Sequence, residues 1–167
     1  MNIFFLHIHP SLAARYQCDK HVVKMILESA QLLSTCHHVY GTATPLMYKA
    51  THINHPSARW VRESKTNYRW LIQHFDALCQ EYTYRYGKTH KSQSLLSCLS
   101  DNPESQPEHG LTKPPLAMPD QYKNDASVVA SYRRYYALGK ADLLTYTRRP
   151  QPAWIKEIQN AEAQARI

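Results

Sequence analysis

The chain has 167 residues, 43% hydrophobic and 20% charged, which suits one domain built around one core. No run approaches the ~18 apolar residues of a bilayer-spanning helix, and residues 1–6 lack a basic leader before His7 and His9 interrupt them, so a cytoplasmic protein without a membrane partner is expected. A net charge of +7, before ten histidines are counted, combines with twelve tyrosines and three tryptophans to suggest a polyanion partner, since cations neutralise phosphates and rings stack on bases.

In chain order, the first nine residues read as extended and Pro10 marks a break. A short helix is expected over 11–16 and a long one over 19–37. Residues 41–55 read as a loop, with Pro56 placed where a first helical position tolerates a missing N–H. From 57 to 86 the pattern is helical: Tyr68, Leu71, Phe75, Leu78 and Tyr82 recur at steps of three and four, and Gly87 closes the run as a C-cap glycine does. A shorter helix is expected over 91–99. Residues 101–120, with Pro103, Pro107, Pro114, Pro115 and Pro119, form a surface loop packed over the helices. Residues 126–137 are helical again, and 155–167 make a weakly amphipathic tail expected to fray. The fold class is all-α: a compact single-domain helical bundle over 1–167, with a short extended N-terminal segment and a Pro-rich surface loop.

The most informative stretch is 19–33. Wound at about 100° per residue, it places Val23, Ile26, Leu27, Ala30 and Leu33 on one side, as a core face, and His21, Lys24, Glu28 and Gln31 on the other. An acid, an imidazole and an amine on one face equip it for proton transfer or for gripping a polar substrate. His7 and His9 share one side of an extended segment, which is expected to face Glu28. Arg59, Arg62, Lys65 and Arg69 recur at helical steps beside Trp60, and with His55 at the helix start they make a candidate phosphate-binding stripe with a stacking or wedging ring. Arg133 and Arg134, among Tyr132, Tyr135 and Tyr136, form a second basic-aromatic group. The four cysteines form no CxxC, and no histidine pair has the spacing of a helical zinc site, so no disulfide framework and no metal are expected. Phosphate-loop, dinucleotide and nucleophile-elbow motifs are missing, so no cofactor is expected.

Through CDKHVVKMILESAQLLST, YKATHINHPSARWVRES and EYTYRYGKTHK the chain resembles small phage-type proteins of unassigned role. More remotely it is similar to the pyrimidine-dimer DNA glycosylases of the phage endonuclease V type. Asp19, His21 and Glu28 fall at the separations of that family's Asp-x-His and catalytic glutamate, and a late Tyr-Tyr…Lys segment follows in like order. The resemblance implies an all-α enzyme that kinks DNA, flips a nucleotide and uses an amino-terminal amine with a helical glutamate. Two departures stand out. Asn2 follows Met1, and a bulky second residue normally keeps the methionine, so either Met1 supplies the amine or the imine chemistry is lost. Leu27 stands where the family has an arginine before the glutamate.

The expected function is a glycosylase-like DNA-acting enzyme, cytoplasmic in a bacterial host if phage-encoded, with double-stranded DNA as partner and a monomer favoured. Glu28 is the expected acid/base, with His21, His7 and His9 around it and Met1 as conditional nucleophile. Lys24, His55, Arg59, Trp60, Arg62, Lys65, Arg69, Arg133 and Arg134 are the expected nucleic-acid contacts. The alternatives are a non-catalytic nucleic-acid-binding accessory protein and a group transferase that modifies a DNA base.

Overall fold

The computed structural model describes all 167 residues, which form seven α-helices and no strand. They are α1 (Pro10–Arg15), α2 (Asp19–Val39), α3 (Pro56–Glu63), α4 (Lys65–Tyr86), α5 (Leu96–Leu99, after a 3-10 turn at Lys91–Leu95), α6 (Val128–Arg134) and α7 (Ala153–Ala165). No helix is long and apolar enough to cross a membrane.

Local chemistry explains where these helices start and stop. Pro10 and Pro56 sit in the first turns of α1 and α3, where a proline removes no helical hydrogen bond. The helical run expected over 57–86 is two helices, because Ser64 is extended (φ −152°) and its Oγ caps α4 by accepting from the Asn67 N–H at 3.1 Å. The Val61 carbonyl, orphaned by that break, accepts from Gln106 Nε2 at 2.8 Å. Gly87, in the left-handed region at φ 68°, ends α4 as its position in the sequence implied.

The core is one cluster of 27 buried residues, in which Ile3, Phe4, Phe5 and Leu6 pack beside Val22, Ile26, Trp60, Tyr68, Leu71, Phe75, Tyr132 and Tyr136. Chain entry into this core is bent: Phe4 adopts φ 62° and the Leu6 N–H donates to the Phe4 carbonyl at 2.8 Å. A left-handed backbone at a bulky residue costs about 1–2 kcal/mol. Burying the Phe4 ring returns about 1.5–3 kcal/mol, enough to hold the bend.

The α2 seam differs from the expected one. His21 and Glu28 are buried while Val23 and Leu27 are 39% and 40% exposed. The N-terminal segment covers the His21–Glu28 side, while Val23 and Leu27 stay partly exposed on another edge of the helix, where His90 hydrogen-bonds to the Val23 backbone. The 101–120 stretch is irregular as expected but acts as a strap. It accepts from Trp60 Nε1 at Thr112, from Tyr132 Oη at Pro115 and from Asn2 Nδ2 at Ala117, at 3.1, 2.6 and 2.9 Å. After α6 the chain continues as a π turn at Tyr135–Gly139, and α7 replaces the fraying tail, with Ile155 buried and Gln159 Nε2 donating to the Ala137 carbonyl at 2.9 Å.

One buried charge cluster joins four parts of the chain. Arg85 on α4 donates to Glu81 at 2.9 Å, to Asp19 of α2 at 3.0 Å and to the Arg15 carbonyl at 3.0 Å. Arg149 grips Glu81 through two bonds of 2.8 and 3.1 Å, and Asp19 accepts from the Thr147 N–H and Oγ1 at 2.9 and 2.7 Å. Removing one member of such a set strands its partners as unpaired buried charge. Arg85→Ala is therefore expected to cost about 3–5 kcal/mol of unfolding free energy, measured by urea denaturation.

Candidate active site on the first long helix

Glu28 lies in the middle of α2 with its side chain 12% exposed. One oxygen, Oε2, accepts from the Asn2 backbone N–H at 3.0 Å and sits 4.0 Å from the Met1 amine. The other, Oε1, lies 3.8 Å from Lys24 Nζ, one turn back on the same helix. Magnitudes rank these contacts. An exposed i,i+4 ion pair is worth about 0.3–0.5 kcal/mol, whereas a hydrogen bond to a charged acceptor is worth about 1.5–3 kcal/mol. The carboxylate is thus positioned chiefly by the backbone of the chain's own second residue.

That backbone is itself locked. Asn2 Oδ1 accepts from the Ile3 N–H at 2.8 Å, its Nδ2 reaches the strap at Ala117, and the Met1 side chain is 3% exposed. No sequence signal marks Asn2 for this part, because its partners lie 26 and 115 residues away.

His21, two turns before Glu28 on the same helical face, stacks on Phe4 with ring centres 4.5 Å apart and 17° between planes. Tyr136 Oη accepts from the Cys18 N–H at 2.7 Å, so its own proton goes to His21 Nδ1 at 2.9 Å and the imidazole carries its proton on Nε2. Burial, then the charges of Lys140, Lys24 and Lys20, push the His21 pKa down to about 4. His21 is therefore neutral at pH 7: it orients and donates, and adds no cation. Lys140 follows Gly139, where a Cβ would meet the Tyr135 ring at 2.8 Å; the bare glycine lets that ring close up under the lysine.

His55 caps α3, its Nδ1 accepting from the Ser57 N–H at 3.0 Å. Its pKa is lowered by burial, then by the positive amino terminus and His52, with Glu28 opposing. His55 thus stands close enough to the amine–carboxylate pair to feel both charges.

Other expected residues lie elsewhere. His7 and His9 stack on each other at 5.2 Å, with His7 beside Tyr16 and Arg133, and neither bonds to or stacks on any group of the Glu28 site. The bend at Phe4 destroys the simple alternation that would have turned them toward Glu28. Trp60 is a core residue, 1% exposed, edge-on to Phe5 with its Nε1–H satisfied by Thr112, so it is neither a stacking nor a wedging ring. Ser64 interrupts the basic stripe. Arg62 donates to the Ile53 carbonyl at 2.6 Å and Arg69 pairs with Glu108 at 3.0 Å, leaving Arg59 and Lys65 without an ion pair. Arg133 donates to the Leu6 carbonyl between the Tyr16 and Trp154 rings, and Arg134 pairs with Glu162.

The molecule is thus an all-helical protein that holds its terminal amine against a nearly buried carboxylate, with Lys24 paired to that carboxylate and Lys20 and Lys140 near His21. Residues 1–94 match the family model of the pyrimidine dimer DNA glycosylases, and the chain belongs to that family. The matched span contains Met1, Asn2, His21, Glu28 and His55. No curated protein and no solved structure matches the chain. Membership carries a glycosylase-like activity and DNA as the substrate.

His21 yields a pH prediction. Its folded pKa, about 4, lies below its unfolded value near 6.5, so acid favours the unfolded chain, which takes up the proton first. Its contribution is complete above pH 6.5 and is lost as the pH falls toward 4. His74, likewise pushed to about 4 by burial, adds to the same slope. Melting temperatures are expected to drop over this window, and His21→Asn is expected to melt lower at pH 7 with a shallower pH dependence.

Proposed function

We propose that this protein excises a damaged pyrimidine from double-stranded DNA, with the Met1 amine as nucleophile and Glu28 as its acid/base partner. The observation that supports this reading is the pairing of the amine with a carboxylate whose orientation is set by the Asn2 N–H. In the reaction the neutral amine forms a bond to C1′ of the extruded nucleotide as the C1′–base bond breaks. The base leaves with the electron pair and is protonated by water. Glu28 takes the proton that the amine sheds and, while ionised, offsets the positive charge developing at C1′. Glu28 returns that proton to O4′ as the C1′–O4′ bond opens, which leaves a protonated imine between protein and sugar and an ionised Glu28. Loss of a C2′ proton to Glu28 expels the 3′ phosphate, and water releases the amine.

The rest of the site serves binding and orientation. Neutral His21 donates from Nε2, while Lys24 and Lys140 approach the phosphates on either side of the extruded nucleotide. His55, with Nδ1 occupied by its cap, offers Nε2–H toward the sugar. Arg59 and Lys65 extend the contact along the backbone of one strand.

Glu28→Gln keeps an acceptor for the Asn2 N–H while removing the base. It is expected to lower single-turnover excision at least about 100-fold while binding duplex DNA within a few-fold of the wild type. Borohydride reduction of the imine is expected to link the protein covalently to a damaged duplex, and one extra residue before Met1 is expected to abolish that link. A protein that binds DNA with a steep salt dependence but neither excises nor cross-links is a binding protein only.

A further inference from the structure

A polar cavity of about 230 Å³ opens where α1, the second half of α4 and the segment before α7 meet. Its walls include Ser11 and Arg15 of α1, Gln80, Glu81 and Tyr84 of α4, and Arg149. Glu81 is the one acid among them, and it is buried and already satisfied. It accepts from Arg85 Nε at 2.9 Å and from Arg149 Nε and Nη2 at 2.8 and 3.1 Å. Asp19 accepts from Arg85 at 3.0 Å behind it. Arg85 and Arg149 thus match two carboxylates, and Arg15 has no acid of its own. Only the Arg15 carbonyl is engaged, accepting from Arg85 Nη2 at 3.0 Å, while its exposed guanidinium lines the cavity. Arg148, likewise without an ion pair, is tied to Tyr84: its Nη1 donates to the Tyr84 carbonyl and its own carbonyl accepts from Tyr84 Oη, both at 3.2 Å. The corner therefore keeps a surplus of positive charge.

The unused donors say what the charge is for. Arg149 spends Nε and Nη2 on Glu81, and its guanidinium lies 4.1 Å from the centre of the Tyr84 ring. Its third nitrogen, Nη1, is thereby fixed in direction with both N–H groups free. The Ser11 hydroxyl, the Gln80 amide and the Arg15 guanidinium are also free of hydrogen bonds within the protein. These donors come from three separate elements around one space. A carboxylate presents two oxygens in one plane, whereas a phosphate group presents its oxygens in tetrahedral directions and accepts from all of them. Holding Arg149 in place beforehand removes part of the ordering cost of binding. We propose that this cavity binds a phosphate group, with Arg149 Nη1 and Arg15 as the charged donors and Ser11 and Gln80 as the neutral ones. The proposal stands apart from the glycosylase reading. The cavity lies at the Asp19 end of α2, nine residues and about 14 Å of helix before Glu28. A free phosphomonoester and a phosphodiester of bound DNA offer the same oxygens to these donors.

The test titrates wild type, Arg15→Ala, Ser11→Asp and Lys49→Ala with inorganic phosphate at constant ionic strength, and with a short lesion-free duplex across a salt series. Wild type is expected to bind phosphate with a Kd of about 1 mM or tighter. Arg15→Ala removes one charged donor, and Ser11→Asp gives Arg15 a carboxylate one turn back on the same helix. Each is expected to weaken phosphate binding at least about 5-fold. Both side chains are exposed and unbonded, so both variants are expected to melt within a degree or two of wild type. Lys49→Ala removes an exposed cation between α2 and α3 and is expected to bind as wild type does. The duplex separates the two sources of phosphate. If DNA supplies it, Arg15→Ala weakens duplex binding about 3-fold or more and lowers the salt slope by about one, and Lys49→Ala does neither. If a free phosphomonoester is the ligand, Arg15→Ala loses phosphate and binds the duplex as wild type does. A wild type that takes up no phosphate, with a duplex affinity indifferent to Arg15→Ala, overturns the proposal. So does phosphate binding that both cavity variants leave intact, or a loss that Lys49→Ala reproduces.

Discussion

Burial of residues 3–6 is the constraint on which the site depends. Ile3, Phe4, Phe5 and Leu6 give up nearly all their exposure to the core, and the apolar area removed from water anchors the chain's first turn against α2. A free amino terminus ordinarily frays. Here Asn2 is tied to Glu28 on one side and to the strap on the other, so the Met1 amine is delivered to one place. The left-handed bend at Phe4 is the local cost of turning the chain through the core. Its return is the stack on His21, which joins the terminal segment to the helix bearing the carboxylate.

Charge is divided between structure and surface. Asp19, Glu81, Arg85 and Arg149 neutralise one another inside the molecule, binding α1, α2, α4 and the segment before α7. Glu108 and Glu162 absorb Arg69 and Arg134. Lys20, Lys24, Arg59, Lys65 and Lys140 are among the cations left unpaired or weakly paired, the first two on α2 itself. The net charge of +7 is therefore an incomplete guide to a DNA-facing surface, since many of the arginines are engaged in holding the fold. Histidine follows the same logic: burial and nearby lysines keep His21 neutral, so it contributes direction and a donor.

Legibility in the sequence varied with the range of the interactions. The long early helix, the Gly87 stop, the irregular Pro-rich stretch and the all-α class were all readable, because helical periodicity, a left-handed cap and proline's missing donor are local properties. Asp19, His21 and Glu28 were visible as a spaced set, although Asp19 turns out to hold Arg85 and Thr147. The Glu81–Arg85 pair had a readable i,i+4 spacing, while its partners Asp19 and Arg149 had none. Trp60 illustrates the opposite failure: an aromatic beside a basic stripe has the same sequence pattern whether its ring stacks on a base or packs edge-on against Phe5 in the core.

By itself, the sequence determined helices, caps and the presence of an acid, an imidazole and cations at helical spacings, since each depends on neighbours within a few residues. Only the tertiary structure decided which face of α2 is covered, that Met1 and Asn2 come to Glu28, and that His7, His9, Trp60 and Arg133 go elsewhere. The physical reason is that an amphipathic helix specifies a stripe to bury and not what will bury it. Here the covering element is a six-residue terminal segment whose path is set by a backbone bend and by hydrogen bonds to a strap more than a hundred residues away.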